Sequence, residues 1–492
     1  MYFAALGLGV LISLGVLLVF SKSPAFSLFH PLAIYSAFHV LIFVIRPIFA
    51  YLLDYSALYV GYSFTPSPED KLTVILAANL GFVVFAFFSL RAGNIAVQFK
   101  ADAAAIEERA RLARAFAWTA AICAPLAIYS LARNYSTENS LYAGMVTDYR
   151  TGISINTKGN GYISDAQLML VSLTAYWAWL GRFRLVALAP FAAYVVLRAG
   201  TGGRGPFVAA LIIAGLLYLY DRRQRFPGFK IVLAIVAAAT FFVSVGADRG
   251  QSLRVLIGLQ DASRTIEYGG QDEKFMESMD FANLEFFEYV VWVVPRQSGT
   301  YDYFLNNLQL FTEPIPRVLW PGKPVGAPIQ PVKLWDYGQP IGMTMSLPGQ
   351  GWFSAGWLGV VIWCGLWGHA LGWVYRRYWQ SDQSALKTAT YMTFMATLVV
   401  AFRDGNLVTV AKQAGPYLLP VLVWHIVARF QGVPRLGQLR ARLREWQGHR
   451  EWQGQAGAAI RAVPTPTPIP TTEYLPPAVR RRRALLEAAR QG

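Results

Sequence analysis

Residues 72–90 read LTVILAANLGFVVFAFFSL, nineteen positions without a charged side chain, preceded by Glu69-Asp70-Lys71 and followed by Arg91. A hydrocarbon core about 30 Å thick takes about 20 apolar residues of helix, at about 1.5 Å of rise each. This stretch therefore predicts a membrane span. Its flanks differ in charge: 54–71 carries Asp54, Glu69 and Asp70 against Lys71 alone, whereas 91–114 carries Arg91, Lys100, Arg109, Arg111 and Arg114. Lys and Arg concentrate in cytoplasmic loops, so 91–114 reads as inside and 54–71 as outside.

The same reading carried outward gives spans near 2–20, 31–53, 72–90, 115–132, 162–180, 183–199, 205–221, 230–247, 352–375, 386–402 and 412–429. Further inside loops carry Arg182 and Arg184, then Arg222, Arg223, Arg225 and Lys230, then Arg376, Arg377 and Lys387. The tail from Phe430 has eleven Arg against four Glu and is placed inside as well. Residues 248–351, with eight basic and twelve acidic side chains, are placed outside. The expectation is an all-α polytopic integral membrane protein of about eleven transmembrane helices with a large loop between helices 8 and 9. An odd number of spans with the tail inside puts the N-terminus outside. Residues 2–20 lack a basic flank ahead of them and a small-residue cleavage pattern after them, so they read as a retained first span. In domains, 1–247 is the first helix group, 248–351 the outer loop, 352–429 the last three helices and 430–492 the basic tail.

Composition agrees. The 492 residues are 55% hydrophobic and 15% charged, where a soluble protein carries about 25% charge. The net charge of +16 is explained by loop placement, so nucleic acid is not an expected partner. Cys123 and Cys364 both fall in apolar segments and read as packing residues, with neither a disulfide framework nor a metal motif. His39, His369 and His425 lie in or near spans without ligands at helical spacing, so no metal is expected. In the outer loop, Glu277 to Trp292 reads as an amphipathic helix, and Thr312 to Pro340 as irregular chain in which proline blocks helix and central strand. Trp292, Trp320, Trp335, Trp352 and Trp357 gather in or beside this loop, as interfacial anchors or as stacking partners for sugar rings. The tail run Pro464 to Pro468 reads as an extended linker, and Arg480 to Arg483 as a basic run near anionic lipid.

Cations on the outer side are the exceptions to the charge rule and hence the informative residues. Arg198 and Arg204 bracket a glycine-rich turn; Arg403-Asp404-Gly405-Asn406 and Lys412 lie in another; Arg150, Arg317 and Lys323 lie in outer segments. Arg46, followed by Pro47, sits inside the second span toward its outer end. A guanidinium at bilayer depth costs roughly 2.5 to 3.5 kcal/mol and rarely stands without a partner. Neutral pairing, as of Arg403 with Asp404, explains one such residue; several together point to an anionic ligand, because the Arg fork binds phosphate in two places. Glu285 and Glu288 share a helical face at i, i+3 and serve either as a general base or as a solvated surface.

The run Ile315-Pro-Arg-Val-Leu-Trp-Pro-Gly-Lys-Pro324, the Gly203-Arg204-Gly205 and Arg403-Asp404-Gly405 triplets, and the stretch from Pro348 to Gly359 resemble Wzy-like oligosaccharide repeat-unit polymerases. The resemblance covers about residues 1 to 430 and leaves the tail unmatched. It implies an enzyme of the bacterial inner membrane that joins lipid-linked repeat units into an O-antigen or exopolysaccharide on the periplasmic face, without a metal or other cofactor. Donor and acceptor would be oligosaccharides on polyprenyl pyrophosphate; the remaining partners would be membrane lipids, a chain-length regulator and a flippase. On that basis Arg204 and Arg403 hold the pyrophosphate, and Arg46, Arg150, Arg198, Arg317, Lys323, Lys412 and Trp320 bind sugar or phosphate. Glu285, Glu288 or Asp404 accepts the proton of the attacking hydroxyl. An O-antigen ligase shares this donor and these cations. A polyprenyl-phosphate-sugar transferase of the GT-C type asks for acidic residues in the first outer loop, and a transporter or flippase for charged or broken helices near the midplane.

Overall fold

The computed structural model describes residues 1–100, 102–135, 145–147, 154–156, 161–199, 204–229, 274, 276–277, 281–338 and 344–445. Helix α1 (Tyr2–Lys22) is followed by a second helix in three parts: α2 (Pro31–His39), a π-helical turn over Val40–Ile45, and α3 (Arg46–Leu52). The short α4 (Ala57–Gly61) leads to α5 (Pro68–Gly93) and α6 (Ala103–Tyr135). A two-stranded antiparallel ladder, β1 (Met145–Thr147) with β2 (Ser154–Asn156), precedes α7 (Gly161–Asp165), a 3-10 turn over Ala166–Leu168 and α8 (Met169–Leu180). Then come α9 (Leu185–Ala199), α10 (Arg204–Asp221), α11 (Asn283–Val293), α12 (Gln309–Thr312), α13 (Ser346–Gln380), α14 (Ala385–Asp404) and α15 (Leu407–Phe430).

Among the described residues seven helices are long and apolar enough to cross a membrane: Tyr2–Lys22, Pro31–Leu52, Pro68–Gly93, Ala103–Asn134, Ser346–Gln380, Ala385–Asp404 and Leu407–Phe430. Two more apolar helices, Leu185–Arg198 and Gly205–Asp221, are shorter. The expected span 162–180 is broken by the 3-10 turn at its start, and the expected span 230–247 lies outside the described residues. The chain is a membrane protein by this count of helices.

Local chemistry sets the helix ends. Ser67 caps α5 by accepting from the Asp70 amide at 3.1 Å, while the Asp70 carboxylate accepts from the Ser67 amide at 2.9 Å, and Pro68 occupies the first turn where its missing N–H is harmless. Gly405, at φ 74°, ends α14 in the left-handed region. Packing of α5 on α13 is backbone to backbone: a Cβ on Gly368 would stand 2.5 Å from the Phe85 carbonyl oxygen, and one on Gly93 2.7 Å from that of Gly372. Small residues bring membrane helices this close, where dispersion between the backbones replaces a hydrophobic drive.

The hydrogen bonds sort the loops into two ends. At one end Arg109 of α6 binds Asp221 of α10 at 2.8 Å, the Trp179 indole donates to the same carboxylate at 2.8 Å, and the guanidinium lies 4.5 Å from the Trp179 ring. There Lys100 donates to the Ser381 carbonyl at 2.7 Å, and the Ala385 amide to Glu108 at 3.0 Å. These contacts join the loops that carry the excess of Arg and Lys, so this is the basic end. Residues 281–338 bond to the opposite chain turns: Arg296 to Asp70 at 2.9 Å, Asn283 to the Arg403 carbonyl at 2.7 Å, and Tyr162 to the Pro314 carbonyl. That is the loop end.

Two segments assigned to the outer loop enter the bundle. The expected amphipathic helix is α11, in which every residue but Trp292 is buried, against α5 and α13. Its carboxylates find partners inside, which removes the need for a solvated face. The second is the first arm of α13. The helix breaks at Ala355 and Gly356 (φ 58°, ψ −139°), and a Cβ on Gly351 would stand 2.7 Å from Val360 Cα, so 346–354 folds back along 357–380. Pro348 reaches Gly81, midway along α5, within 3.2 Å of where its Cβ would be. The crossing arm thus begins at 357, and 346–351, expected to belong to the loop, lies within the bundle.

Candidate functional site

Three groups of charged and polar residues occupy the loop end. The first is built on the ends of α7 to α10 and the start of α15. Arg198, in the last turn of α9, donates to the Gln167 side-chain oxygen at 2.7 Å. Gln413 of α15 donates to the Tyr417 hydroxyl at 2.9 Å, and its amide nitrogen lies 3.4 Å from where a Cβ on Gly205 would stand. The start of α10 and the start of α15 are therefore neighbours. Lys412 pairs with Glu313, and Lys323 approaches the same carboxylate at 3.7 Å while donating to the Glu313 and Ile315 carbonyls at 3.0 and 3.1 Å. Gln309 adds a hydrogen bond to Glu313 at 2.8 Å. Burial alone would raise the Glu313 carboxyl, but the bonds from Lys412 and Gln309 and the two ammonium charges hold it below its ordinary range. Lys323 is lowered by burial, against the pull of Glu313.

The second group surrounds the turn between α14 and α15. Asn283, at the start of α11, donates to the Arg403 carbonyl at 2.7 Å and to Thr344 at 2.8 Å. The Trp363 indole donates to the Gly405 carbonyl at 3.0 Å, and the Leu407 amide to Asn307 at 3.2 Å. Side chains from α11, α13 and the segment 305–308 thus pin this turn. Arg403 and Asp404 are half-buried, and the Arg403 Nε is buried with no hydrogen-bond partner.

The third group is internal. Arg46, at the end of the π-helical turn, is fully buried and donates through Nε to both oxygens of Glu285, at 3.0 Å each, with a second nitrogen 2.9 Å away and the Met276 carbonyl as a further acceptor. Its own amide bonds five residues back to Leu41, and Pro47 after it has no amide to give, so the helix is locally widened where the charge is placed. Tyr59 donates to Glu288 at 2.6 Å, the Lys71 ammonium lies 4.5 Å from the Tyr59 ring, and Glu277 accepts from the Ser56 and Ala57 amides at 2.9 and 2.8 Å. Burial raises both α11 carboxyls; Glu288 is pushed up to about 7, against the Lys71 charge and with the neighbouring Glu285 adding to the rise.

Several expectations are corrected. Arg46 lies in a buried ion pair and is closed to a ligand, and Glu285 is its counterion rather than a surface acid. Glu288 is likewise buried, so neither carboxylate belongs to a solvated face. Arg317 closes its own turn by donating to the Lys323 carbonyl and, at 3.0 Å, to that of Pro324. Backbone amides close the first part of this turn onto Pro316 and Trp320, and the guanidinium supplies the donors for the two carbonyls at its end. Lys323 and Lys412 share a carboxylate. Trp320 stays about a third exposed, at 37%, whereas the Trp352 indole is buried and donates to the Val294 carbonyl at 3.0 Å. Arg150 lies outside the described residues, as does the side chain of Arg204, whose backbone opens α10. His39 binds Asn79 at 3.2 Å and stacks on Phe82, and both cysteines are buried and free.

Sequence reasoning passed over Glu313, Tyr59, Glu277 and Asn283. Glu313 carries a weak local signal, standing among prolines four residues before Arg317. The others bind partners more than a hundred residues away. No family model matches the chain, and neither a curated protein nor a solved structure matches it.

Proposed function

We propose that this chain is an integral membrane glycosyltransferase that polymerises oligosaccharide repeat units carried on a polyprenyl diphosphate. On this reading it has about eleven spans and lies in a bacterial inner membrane. The basic end and the C-terminus face the cytoplasm, and the loop end and the N-terminus face the periplasm, as the distribution of Arg and Lys favours. The observation that carries the reading is the convergence at the loop end of the end of α9, the start of α10, the turn between α14 and α15, and the loop segment around Glu313. That convergence gathers Arg198, Arg204, Arg403, Lys323 and Lys412 by their backbone positions.

The acceptor hydroxyl oxygen bonds to the anomeric carbon of the donor as the bond from that carbon to the diphosphate oxygen breaks. Polyprenyl diphosphate leaves with the bonding pair, and guanidinium groups of Arg198, Arg204 and Arg403 stabilise the charge it gathers. The hydroxyl proton passes to a carboxylate. Asp404 is the carboxylate placed for this, standing next to Arg403 in a half-buried turn with the Thr409 hydroxyl as a partner, whereas Glu285 and Glu288 are fully buried in the internal group.

The test is purified full-length protein with a polyprenyl-diphosphate-linked repeat unit, read as a ladder of longer glycans and free polyprenyl diphosphate. Arg198→Ala and Arg403→Ala are expected to reduce the ladder by about 100-fold to 1,000-fold, the range for losing one donor to a developing anion. Arg403→Lys should be nearly as poor, since Lys lacks the planar fork. Absence of any new glycosidic bond would favour a transporter, and transfer only to a lipid A core sugar would favour a ligase.

A further inference from the structure

At the basic end, α13, α14 and α15 enclose a groove of about 990 Å³ that is open at the side of the bundle. Its mouth carries Arg376 and Arg377 from α13 and Lys387 from α14. Both arginines are exposed, and among the described residues neither pairs with a carboxylate. Lys387 binds Asp382 at 2.6 Å but remains 55% exposed, with two of its three donors left over. The mouth is therefore a net cation.

Away from the mouth the wall turns apolar in one direction only. Thr390, Tyr391 and Phe394 follow Lys387 on α14 at i+3, i+4 and i+7, which places them on one face and carries that face about 10 Å up the helix. Leu418 closes the wall from α15, and the stacked Tyr378 and Tyr391 rings, 4.1 Å apart, make its floor. Trp373 is half-exposed at the edge, with the Arg377 guanidinium 5.4 Å from its ring, as interfacial tryptophans stand.

We propose that this groove is a binding site for an anionic glycerophospholipid of the leaflet at the basic end. Its phosphate lies between Arg376, Arg377 and Lys387, and one acyl chain lies along the Tyr391 and Phe394 wall. A soluble anion has no use for a 10 Å apolar wall. A zwitterionic headgroup brings its own cation against three others, so the charge of the mouth selects lipids of net negative charge. Basic pockets between membrane helices act in this way. The inference needs only that the helices lie in a bilayer and is independent of the chemistry proposed for the loop end.

The experiment is native mass spectrometry of the full-length protein, purified in mild detergent and offered phosphatidylglycerol or phosphatidylcholine at equal mole fraction. Wild type should retain phosphatidylglycerol selectively. Arg376→Gln with Arg377→Gln should lower that retention by about 25-fold, roughly 5-fold for each basic side chain near a lipid phosphate. Arg91→Gln, a cation at the same end outside the groove, should leave it unchanged. Thr390→Trp fills the wall while keeping every charge and should also expel the lipid, which keeps the test decisive if the double variant misfolds. Equal retention of both lipids overturns the proposal, as does undiminished retention by Thr390→Trp. Displacement of the lipid by millimolar inorganic phosphate alone would show a simple anion site and overturn it too.

Discussion

The Arg46–Glu285 pair makes an asymmetric prediction, because its two members differ in how they can escape when left alone. Both are buried, at 0% and 1% side-chain exposure, and the guanidinium donates through Nε to both carboxylate oxygens and through one terminal nitrogen to a carbonyl. Removing either partner of a buried pair costs about 3 to 5 kcal/mol in general. In Glu285→Gln the stranded charge is a guanidinium that cannot lose its proton, so the full cost stands at every pH. In Arg46→Met the stranded group is a carboxyl, which neutralises by taking up a proton. Burial already raises Glu285 above its ordinary 4.5 with Arg46 present, and without Arg46 it must rise further. A folded-state value above the unfolded one means that the folded protein holds the extra proton, so stability falls as pH rises between the two values. The slope approaches 1.4 kcal/mol per pH unit. Arg46→Met should therefore lie within about 1 kcal/mol of wild type near pH 5 and lose several kcal/mol by pH 8, whereas Glu285→Gln should be low and flat. The double replacement Arg46→Met with Glu285→Leu should recover most of the loss. Thermal unfolding in detergent, followed by loss of the monodisperse peak at pH 5, 6.5 and 8, reads all three. Equal and pH-independent losses in the two single variants would refute the reasoning, as would a double variant no better than the worse single.

Tyr59→Phe removes the 2.6 Å hydrogen bond that opposes burial at Glu288. The carboxyl should then titrate above about 7, seen as its C=O infrared band persisting to higher pH, and the fall of stability with rising pH should extend upward with it. Gly368→Val should separate α5 from α13, since its Cβ would meet the Phe85 oxygen at 2.5 Å. A loss of about 3 kcal/mol or failure to fold is expected, at the upper end of overpacking costs, while Gly7→Val, whose Cβ has no neighbour within 4 Å, should be well tolerated in the same thermal assay. Glu313→Gln releases Lys412 and Lys323 together, and because Lys412 is 55% exposed the stability loss should stay near or below about 1 kcal/mol. Limited trypsinolysis should nevertheless quicken at Arg317–Val318. In wild type the same quickening is expected as pH falls through the lowered Glu313 value, where the carboxylate protonates and releases both ammonium groups.

The spanning helices were legible because lipid imposes a length and a composition that each segment satisfies by itself. Residues 2–20, 31–53, 72–90, 386–402 and 412–429 all fall within observed helices to within a few residues. Broken helices were not, because their interruptions depend on neighbours: Gly356 permits the reversal of α13, but only Gly351 against Val360 makes it. The reading of α11 failed for a related cause. Two glutamates three apart look like a wet face, and what lets them be dry is Arg46, 239 positions away, and Tyr59, 229 away. Of the outer cations, nothing in the sequence tells Arg198, which reaches Gln167 across 31 positions, from Arg317, spent on its own turn.

The glycine seam between α5 and α13 has a mechanical consequence. Helices whose carbonyls and Cα atoms touch without intervening side chains can neither slide nor rotate past each other, so this pair forms a rigid keel. Any widening of the protein to admit a long-chain lipid must then be hinged away from this pair, as at α9 and α10, the two apolar helices shorter than the seven spans.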